Sequence, residues 1–407
     1  MRVVITAFQA RANVGTEAGL AWQWATAYTS RGYQVTVVTQ NSPAADGQDT
    51  DWDAAGIALV RLGESRGTQA PQGVVGLLKA GRNYEAWRRL VLSTASTLFA
   101  EADIVHHVSW GSVRLLPPFP VTPESPGSTQ WVWGPLGGGQ HAILRGLSAT
   151  SIPAELFRSS SFPLARARLS SYARRATAVP QTISTNAETS AFLKQSGFSS
   201  SSLMLADGVP ESLVIKTREI GLRKELRLVW LGRLVPSKRP DVALRVLAEL
   251  RRMDIPAHLS LAGEGPMAKS LLTLAAKLRL GDSYEQLGRV PWELTPQLYD
   301  NSDILLFHSM RDSSCPAVLE AASRGIPTVG LRVQGFGSVI PTSFALGPTR
   351  MRGSASLASE LARACASLFL DEEAYRHASS SALVFARTET WDAKVSRIVG
   401  NRIGVPQ

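Results

Sequence analysis

The chain has 407 residues, a formal net charge of +10, and 44% hydrophobic and 19% charged residues. That length suits two domains, each large enough to bury a core, and that balance excludes a disordered or fibrous chain. Two cysteines, Cys315 and Cys365, make neither a disulfide framework nor a cysteine zinc site, so a reducing, cytoplasmic setting is expected.

The opening segment Met1–Phe8 is too short an apolar run for a signal peptide and reads as a first buried strand, Val3–Ala7. The loop Asn13-Val-Gly-Thr-Glu-Ala-Gly19 then opens a helix over Gly19–Tyr28. In that loop Gly15 lets backbone approach a ligand, and Thr16 and Glu17 are candidate contacts; the alternative is a simple helix cap. Strands follow at Gln34–Thr39 and Ala58–Leu62. Between them Asp51-Trp-Asp53 has the spacing of a metal-binding pair, but a solvated polar loop is the expected setting, and no metal is assigned.

The next segments are basic. Lys79, Arg82, Arg88 and Arg89 lie among Leu77, Leu78, Tyr84, Trp87 and Leu90. Arg158, Arg166, Arg168, Arg174 and Arg175 lie between Glu155 and Val179 without an intervening acid. Basic helices with interleaved aromatics suit an anionic membrane surface, or are solvated helix faces. No apolar stretch approaches the roughly 20 residues of a membrane-spanning helix. With no stacking platform or recognised motif, nucleic acid is not an expected partner.

Further strands are expected at Ile104–His107, Gln130–Trp133, Thr182–Thr185 and Leu203–Leu205. Adjacent residues on a strand face opposite sides, so His106 and His107 do not form a metal pair; each is a ligand contact or a structural residue. Gly137, Gly138 and Gly139 follow a strand and either offer backbone N–H groups to a ligand or form a merely flexible loop. A turn-rich stretch at Asp207-Gly-Val-Pro210 marks a domain boundary.

A second strand series runs through Arg227–Leu231, His258–Ala262, Tyr284–Leu287, Ile304–Phe307 and Thr328–Gly330. Helices are expected at Asp241–Arg252 and Pro266–Leu280, with a last helical stretch from Ala378 to Ile398. Strand–helix alternation implies parallel sheets covered on both faces. The expected fold class is therefore α/β, with two Rossmann-like, doubly wound parallel-sheet domains facing a central cleft. The domains are placed at residues 1–206 and 207–385, with a helix in 386–407 crossing back to the first.

The strongest chemical signal is Trp230-Leu-Gly-Arg-Leu-Val-Pro-Ser-Lys-Arg-Pro240. A strand ending in Gly232 delivers Arg233 and Lys238 to the mouth of a helix, an arrangement suited to a diphosphate. The second signal is Asp312-Ser-Ser-Cys-Pro-Ala-Val-Leu-Glu320. Its small-residue loop at a helix start suits phosphate or sugar oxygens, and Glu320 can grip the vicinal hydroxyls of a ribose. Asp312 is a sugar contact or a helix cap.

Together with Leu261-Ala-Gly-Glu-Gly-Pro266, Leu287-Gly-Arg-Val-Pro291 and Gly325-Ile-Pro327, these motifs resemble a family-4 retaining glycosyltransferase of the two-Rossmann-domain (GT-B) fold, over nearly the whole chain. The resemblance implies that Gly232, Arg233 and Lys238 bind the donor diphosphate and that Glu320 holds the nucleotide ribose. It implies that Asp312, Ser313 and Ser314 hold the donor sugar, that Arg289 and Val290 lie against the base, and that the Gly15 loop approaches the phosphates. Thr16, Glu17, His106, His107 and the three glycines would then face the acceptor. Arg233, Lys238 and Asp312 would carry catalysis, with no metal and no cofactor beyond the nucleotide sugar, UDP- or GDP-linked. The acceptor would be a sugar, a lipid-linked glycan or a small molecule, with peripheral contact to an anionic membrane.

Two departures from the family pattern stand out. The first acid is Asp312 where the family has Glu, which bears on donor choice. The family's His near Gly134 is absent, and His141 is not taken to replace it. Two other functions share the pattern: a nucleotide-sugar epimerase or hydrolase using His106, His107 or Glu17, and a non-catalytic module that binds anionic surfaces.

Overall fold

The computed structural model describes residues 1–14, 17–41, 49–63, 73–122, 129–140, 152–198, 201–219, 224–312, 314–351 and 353–400. The chain falls into two compact units, one from residues 1–141, 153–206 and 394–407 and the other from 142–152 and 207–393.

The strands of the first unit are β1 (Arg2–Ala7), β2 (Gln34–Gln40), β3 (Ala58–Leu62), β4 (Ile104–Ser109), β5 (Gln130–Leu136), β6 (Gln181–Ser184) and β7 (Ser201–Leu203). They form one parallel sheet in the order β3-β2-β1-β4-β5-β6-β7. Val3 is in register with Val35 on one side and Ile104 on the other. The inner strands are buried at nearly every position, because helices cover both faces of a parallel sheet. One layer between helices and sheet is aromatic: Phe8, Tyr84, Trp87, Phe119, Trp131, Trp133, Tyr172 and Phe198.

The second unit contains β8 (Leu226–Leu231), β9 (Ala257–Ala262), β10 (Tyr284–Gly288), β11 (Ile304–Phe307), β12 (Thr328–Gly330) and β13 (Ala345–Leu346). Their order is β10-β9-β8-β11-β12-β13, again parallel. Leu228 is in register with Leu259 and Ile304. The helix Pro240–Arg252 buries Val242, Leu244, Val246, Leu247 and Leu250, a 3.6-residue stripe. Each such side chain contributes about 1.5–3 kcal/mol when fully buried. In both sheets the order reverses next to the first strand, between β1 and β4 and between β8 and β11. Ligands of such sheets bind at that reversal, outside the carboxyl ends of the strands.

Several local expectations are corrected. β4 and β5 run on to Ser109 and Leu136, and the seventh strand is Ser201–Leu203 rather than Leu203–Leu205. The short strand β13, without a β-branched residue, has no counterpart among the expected strands. Asp51-Trp-Asp53 belongs to the helix Asp49–Ala54, because fully buried Trp52 packs edge-on against Trp22. The last helical stretch is two helices, Glu372–Thr388 and Trp391–Gly400. The first of them lies wholly in the second unit, and the chain passes to the first unit at 393/394 rather than at 386. In the second unit Trp391 lies over Gly208. In the first, buried Lys394 donates to the Leu205 carbonyl at 2.8 Å and the Ile398 carbonyl accepts from Gln130 at 3.1 Å.

Candidate functional site

The two strongest motifs follow β8 and β11, the neighbours at the strand-order reversal of the second unit. Sheet topology therefore brings together loops that lie 74 residues apart in sequence. After β8 the backbone makes one 3-10 turn, Pro236–Lys238, and Arg239 at φ 53° starts the helix with Pro240 at its first position. The loop is fastened to its neighbour by Gly232 N–H to the Ala262 carbonyl (3.0 Å) and Leu234 N–H to the Glu264 carbonyl (2.8 Å). Gly263, at φ 138°, admits this approach: a Cβ there would lie 1.8 Å from the Gly232 oxygen.

After β11, Met310 N–H donates to the Ser237 carbonyl at 2.8 Å, joining the two loops. The Lys238 ammonium is ion-paired with Asp312 Oδ2 and sits 5.9 Å from the centre of the Phe307 ring. The other oxygen, Asp312 Oδ1, accepts from the Ser314 (3.3 Å) and Cys315 (3.0 Å) amides in the turn that leads into the helix Pro316–Ser323. The Asp312 amide in turn donates to Gln334 Oε1 at 3.0 Å. Both oxygens of Asp312 are thus engaged within the protein. Arg233 stands exposed, as does Arg289 after β10, with Val290 half-buried beside it.

Glu320 lies one turn into the helix Pro316–Ser323, and its Oε2 accepts from the hydroxyl of fully buried Tyr299 at 2.9 Å. Glu320 keeps some surface area, but protein atoms crowd its carboxyl, and this loss of water pushes its pKa above the ordinary value. The Tyr299 hydrogen bond pulls it back down, and the charge of Asp207 adds to the rise. Beneath the loops, buried Arg239 holds Asp241 through two hydrogen bonds of 2.9 and 2.8 Å and donates to Ser354 at 2.9 Å. Burial alone would raise the Asp241 carboxyl; the Arg239 guanidinium holds it below the usual range.

In the first unit, Glu17 is exposed and begins the one-turn helix Glu17–Gly19. Gly15, Thr16 and Ser313 lie outside the described residues, as does His141. The two histidines correct the expectation of an acceptor contact. Because β4 continues to Ser109, they sit in mid-strand under helices on both faces, 0% and 1% exposed. His106 pairs with the Gly134 carbonyl (2.8 Å), and His107 lies 3.0 Å from both Thr6 Oγ1 and Tyr84 Oη. Burial depresses their pKa values to about 4 and about 3. They are core residues, which also withdraws them as acid/base groups for an epimerase or hydrolase.

The three glycines are corrected too, for their amides are already used. Gly137 N–H donates to the Gly111 carbonyl (2.9 Å), Gly138 to Gln140 Oε1 (2.9 Å) and Gly139 to Thr189 Oγ1 (3.1 Å). The aromatics of the basic helix Gly73–Thr94 likewise face inward: Tyr84 and Trp87 are buried in the core. Glu85 on that helix pairs with Arg88 (2.9 Å), Arg89 (3.3 Å) and Arg168 (3.7 Å).

Sequence reasoning missed Tyr299, Asp207, Gln334 and the Arg239–Asp241 pair. Asp207 carried only a turn signal, and the pair is visible in sequence as a charge couple two residues apart. Nothing local marks Tyr299 or Gln334, whose partners lie 21 and 22 residues away.

Residues 216–383 match the family model described as glycosyl transferases group 1. Among curated proteins, the chain is 29% identical over 148 residues to a phosphatidylinositol N-acetylglucosaminyltransferase subunit of Arabidopsis thaliana, covering 36% of this chain and 33% of that one. It is 28% identical over 188 residues to the D-inositol 3-phosphate glycosyltransferase of Corynebacterium efficiens, covering 44% and 43%. The chain thus spans less than half the length of the curated relatives it matches. The fold is shared over the full length of both chains with Anabaena HepE, solved in complex with UDP and glucose, at a TM-score of 0.60 and 15% identity.

Proposed function

We propose that the chain is a glycosyltransferase of the kind whose group 1 family model matches residues 216–383, and that it moves a sugar from a nucleoside diphosphate donor to an acceptor hydroxyl, with retention at the anomeric carbon and without a metal. The observation that carries the reading is the meeting of the Gly232–Lys238 and Asp312–Glu320 loops at the β8/β11 reversal. Arg233 and Lys238 stand where a diphosphate needs positive charge, and a helix start adds backbone dipoles. In the transition state of transfer, the departing diphosphate gains negative charge, and the two cations stabilise it as a metal would elsewhere. Glu320, with Oε2 held by Tyr299, keeps Oε1 for the ribose hydroxyls. Arg289 and Val290, which follow β10 two strands away from β8, are assigned to the base. Retention follows the family resemblance: the leaving phosphate takes the acceptor proton on the same face of the sugar.

UDP is the first donor nucleotide to try, since HepE was solved with UDP. An inositol-bearing acceptor is the first acceptor to try, since both curated relatives are named for such substrates. The test is transfer from UDP- and GDP-sugars in EDTA by the wild type, Lys238→Ala and Glu320→Ala. A loss of at least about tenfold in each variant is expected, roughly 1.4 kcal/mol of transition-state stabilisation. Wild-type rates in both variants sink the site; activity that disappears in EDTA sinks metal independence.

A peripheral membrane contact of the first unit is part of this reading. The helices Gly73–Thr94 and Phe162–Arg175 are linked side by side through Glu85 and Arg168. They expose Val75, Leu78 and Leu164 (79%, 54% and 65%) beside exposed Lys79, Arg82 and Arg166. Apolar side chains among cations suit an anionic lipid surface. Among the described residues no helix is long and apolar enough to cross a membrane. Sedimentation with phosphatidylcholine vesicles, with and without phosphatidylglycerol, tests this contact. Binding that needs the anionic lipid and weakens in Leu78→Glu/Leu164→Glu supports it, and equal recovery in the supernatant with both vesicles rejects it.

A further inference from the structure

We propose that Asp312 is the internal counter-ion of Lys238, which the donor diphosphate must displace. Asp312 would thereby position Lys238 between turnovers and weaken the hold on the nucleoside diphosphate product. The inference rests on the donor-site reading above and goes beyond it, because it gives Asp312 a role towards the phosphates instead of the sugar.

Three observations carry it. Lys238 and Asp312 are ion-paired, and their side chains are only 25% and 9% exposed, so water screens the pair less than it would a surface pair. The Asp312 carboxylate is not free to swing away. Its Oδ1 accepts from the Ser314 and Cys315 amides, and its own amide donates to Gln334. Lys238 is the movable partner, a point charge on a flexible stem. A diphosphate drawn to Arg233 and Lys238 therefore takes the ammonium from a carboxylate that stays where it is. Each phosphate then sits close to a fixed negative charge, which opposes tight binding of a charged leaving group and favours its release. The shorter side chain fits this role: one methylene less than Glu keeps the carboxylate at the Ser314 and Cys315 amides.

The test is calorimetric titration of UDP, and of GDP, into the full chain and into Asp312→Asn, which removes the charge but keeps an accepting oxygen. Asp312→Ser, whose hydroxyl can also accept from a turn amide, is the second variant if the first folds poorly, as judged by circular dichroism. Asp312→Asn is expected to bind the nucleoside diphosphate about threefold tighter or more, the gain from removing one nearby like charge. That gain is expected to shrink by at least half when Lys238 is also changed to Met. An equal gain in the Lys238→Met background overturns the counter-ion assignment, leaving simple repulsion. Unchanged diphosphate affinity with weaker binding of the intact nucleotide sugar also overturns it, in favour of a sugar contact. If the wild type binds neither nucleotide, the donor-site reading itself fails.

Discussion

The buried hydroxyl of Tyr299 donates to Glu320 Oε2 at 2.9 Å and so holds one of the two carboxylate oxygens. The tyrosine comes from the helix Thr295–Asp300, just before β11, and the glutamate from the helix just after it. One strand thus sets both partners.

Tyr299→Phe removes this bond and little volume. A hydrogen bond to a charged group is worth about 1.5–3 kcal/mol. Nucleotide affinity is therefore expected to fall about tenfold, while the KM for the acceptor is unchanged. Titration calorimetry and acceptor kinetics check this. An effect on melting temperature alone would leave Tyr299 a packing residue.

Nucleotide binding should weaken on acidification. The ribose hydroxyls need an ionised Glu320 as acceptor, and loss of water holds its pKa above the ordinary carboxyl value. Affinity is then full above the raised pKa and is lost as pH falls through it, at a higher pH than an ordinary glutamate would give. Tyr299→Phe is expected to move this midpoint further up, because the tyrosine bond favours the ionised form. Glu320→Gln should abolish the limb. A pH series of nucleotide dissociation constants reads all three.

Among the described residues, His106, His107 and His308 are buried and predict an acid-sensitive fold. Burial depresses His106 to about 4, His107 to about 3 and His308 to about 4. The unfolded chain titrates these rings near 6.5, so between about pH 6.5 and 4 it binds protons that the folded chain does not. Their contribution is present above the unfolded value and is lost as pH falls towards the folded values. Each contributes a slope of about 1.4 kcal/mol per pH unit within that window. Urea unfolding from pH 7.5 to 4.5 tests this, and His107→Gln should flatten the curve.

Gly263→Ala should damage the site without reaching the core. The new Cβ would collide with the Gly232 carbonyl, so the loop carrying Arg233 must shift. Nucleotide affinity is expected to drop about tenfold or more, since positioning errors of this size weigh heavily on binding and rate. Wild-type affinity in this variant would show that the loop tolerates displacement.

The histidines and glycines of the first unit show where local reading stops. Apolar, β-branched runs mark strands because a parallel sheet buries both faces, and those runs gave β3, β11 and β12 to the residue. They do not mark where a strand ends, because Ser109 and Leu136 pair only with residues distant in sequence, Ala7 and Ser184. Two extra residues in β4 moved His106 and His107 from a loop mouth into the core. Extension of β5 brought Gly137 to Gly139 within reach of Gly111, Gln140 and Thr189.

By itself the sequence determined the α/β class, the two strand series and the family motifs, because periodicity and the chemistry of Gly, Pro, Arg, Lys and Glu are local properties. Only the tertiary structure decided which groups are already engaged. It paired Lys238 with Asp312, gave Tyr299 to Glu320 and closed the histidines off from water. Those outcomes depend on strand order, which places β8 beside β11 and β1 beside β4, and strand order arises from long-range packing that no single segment encodes.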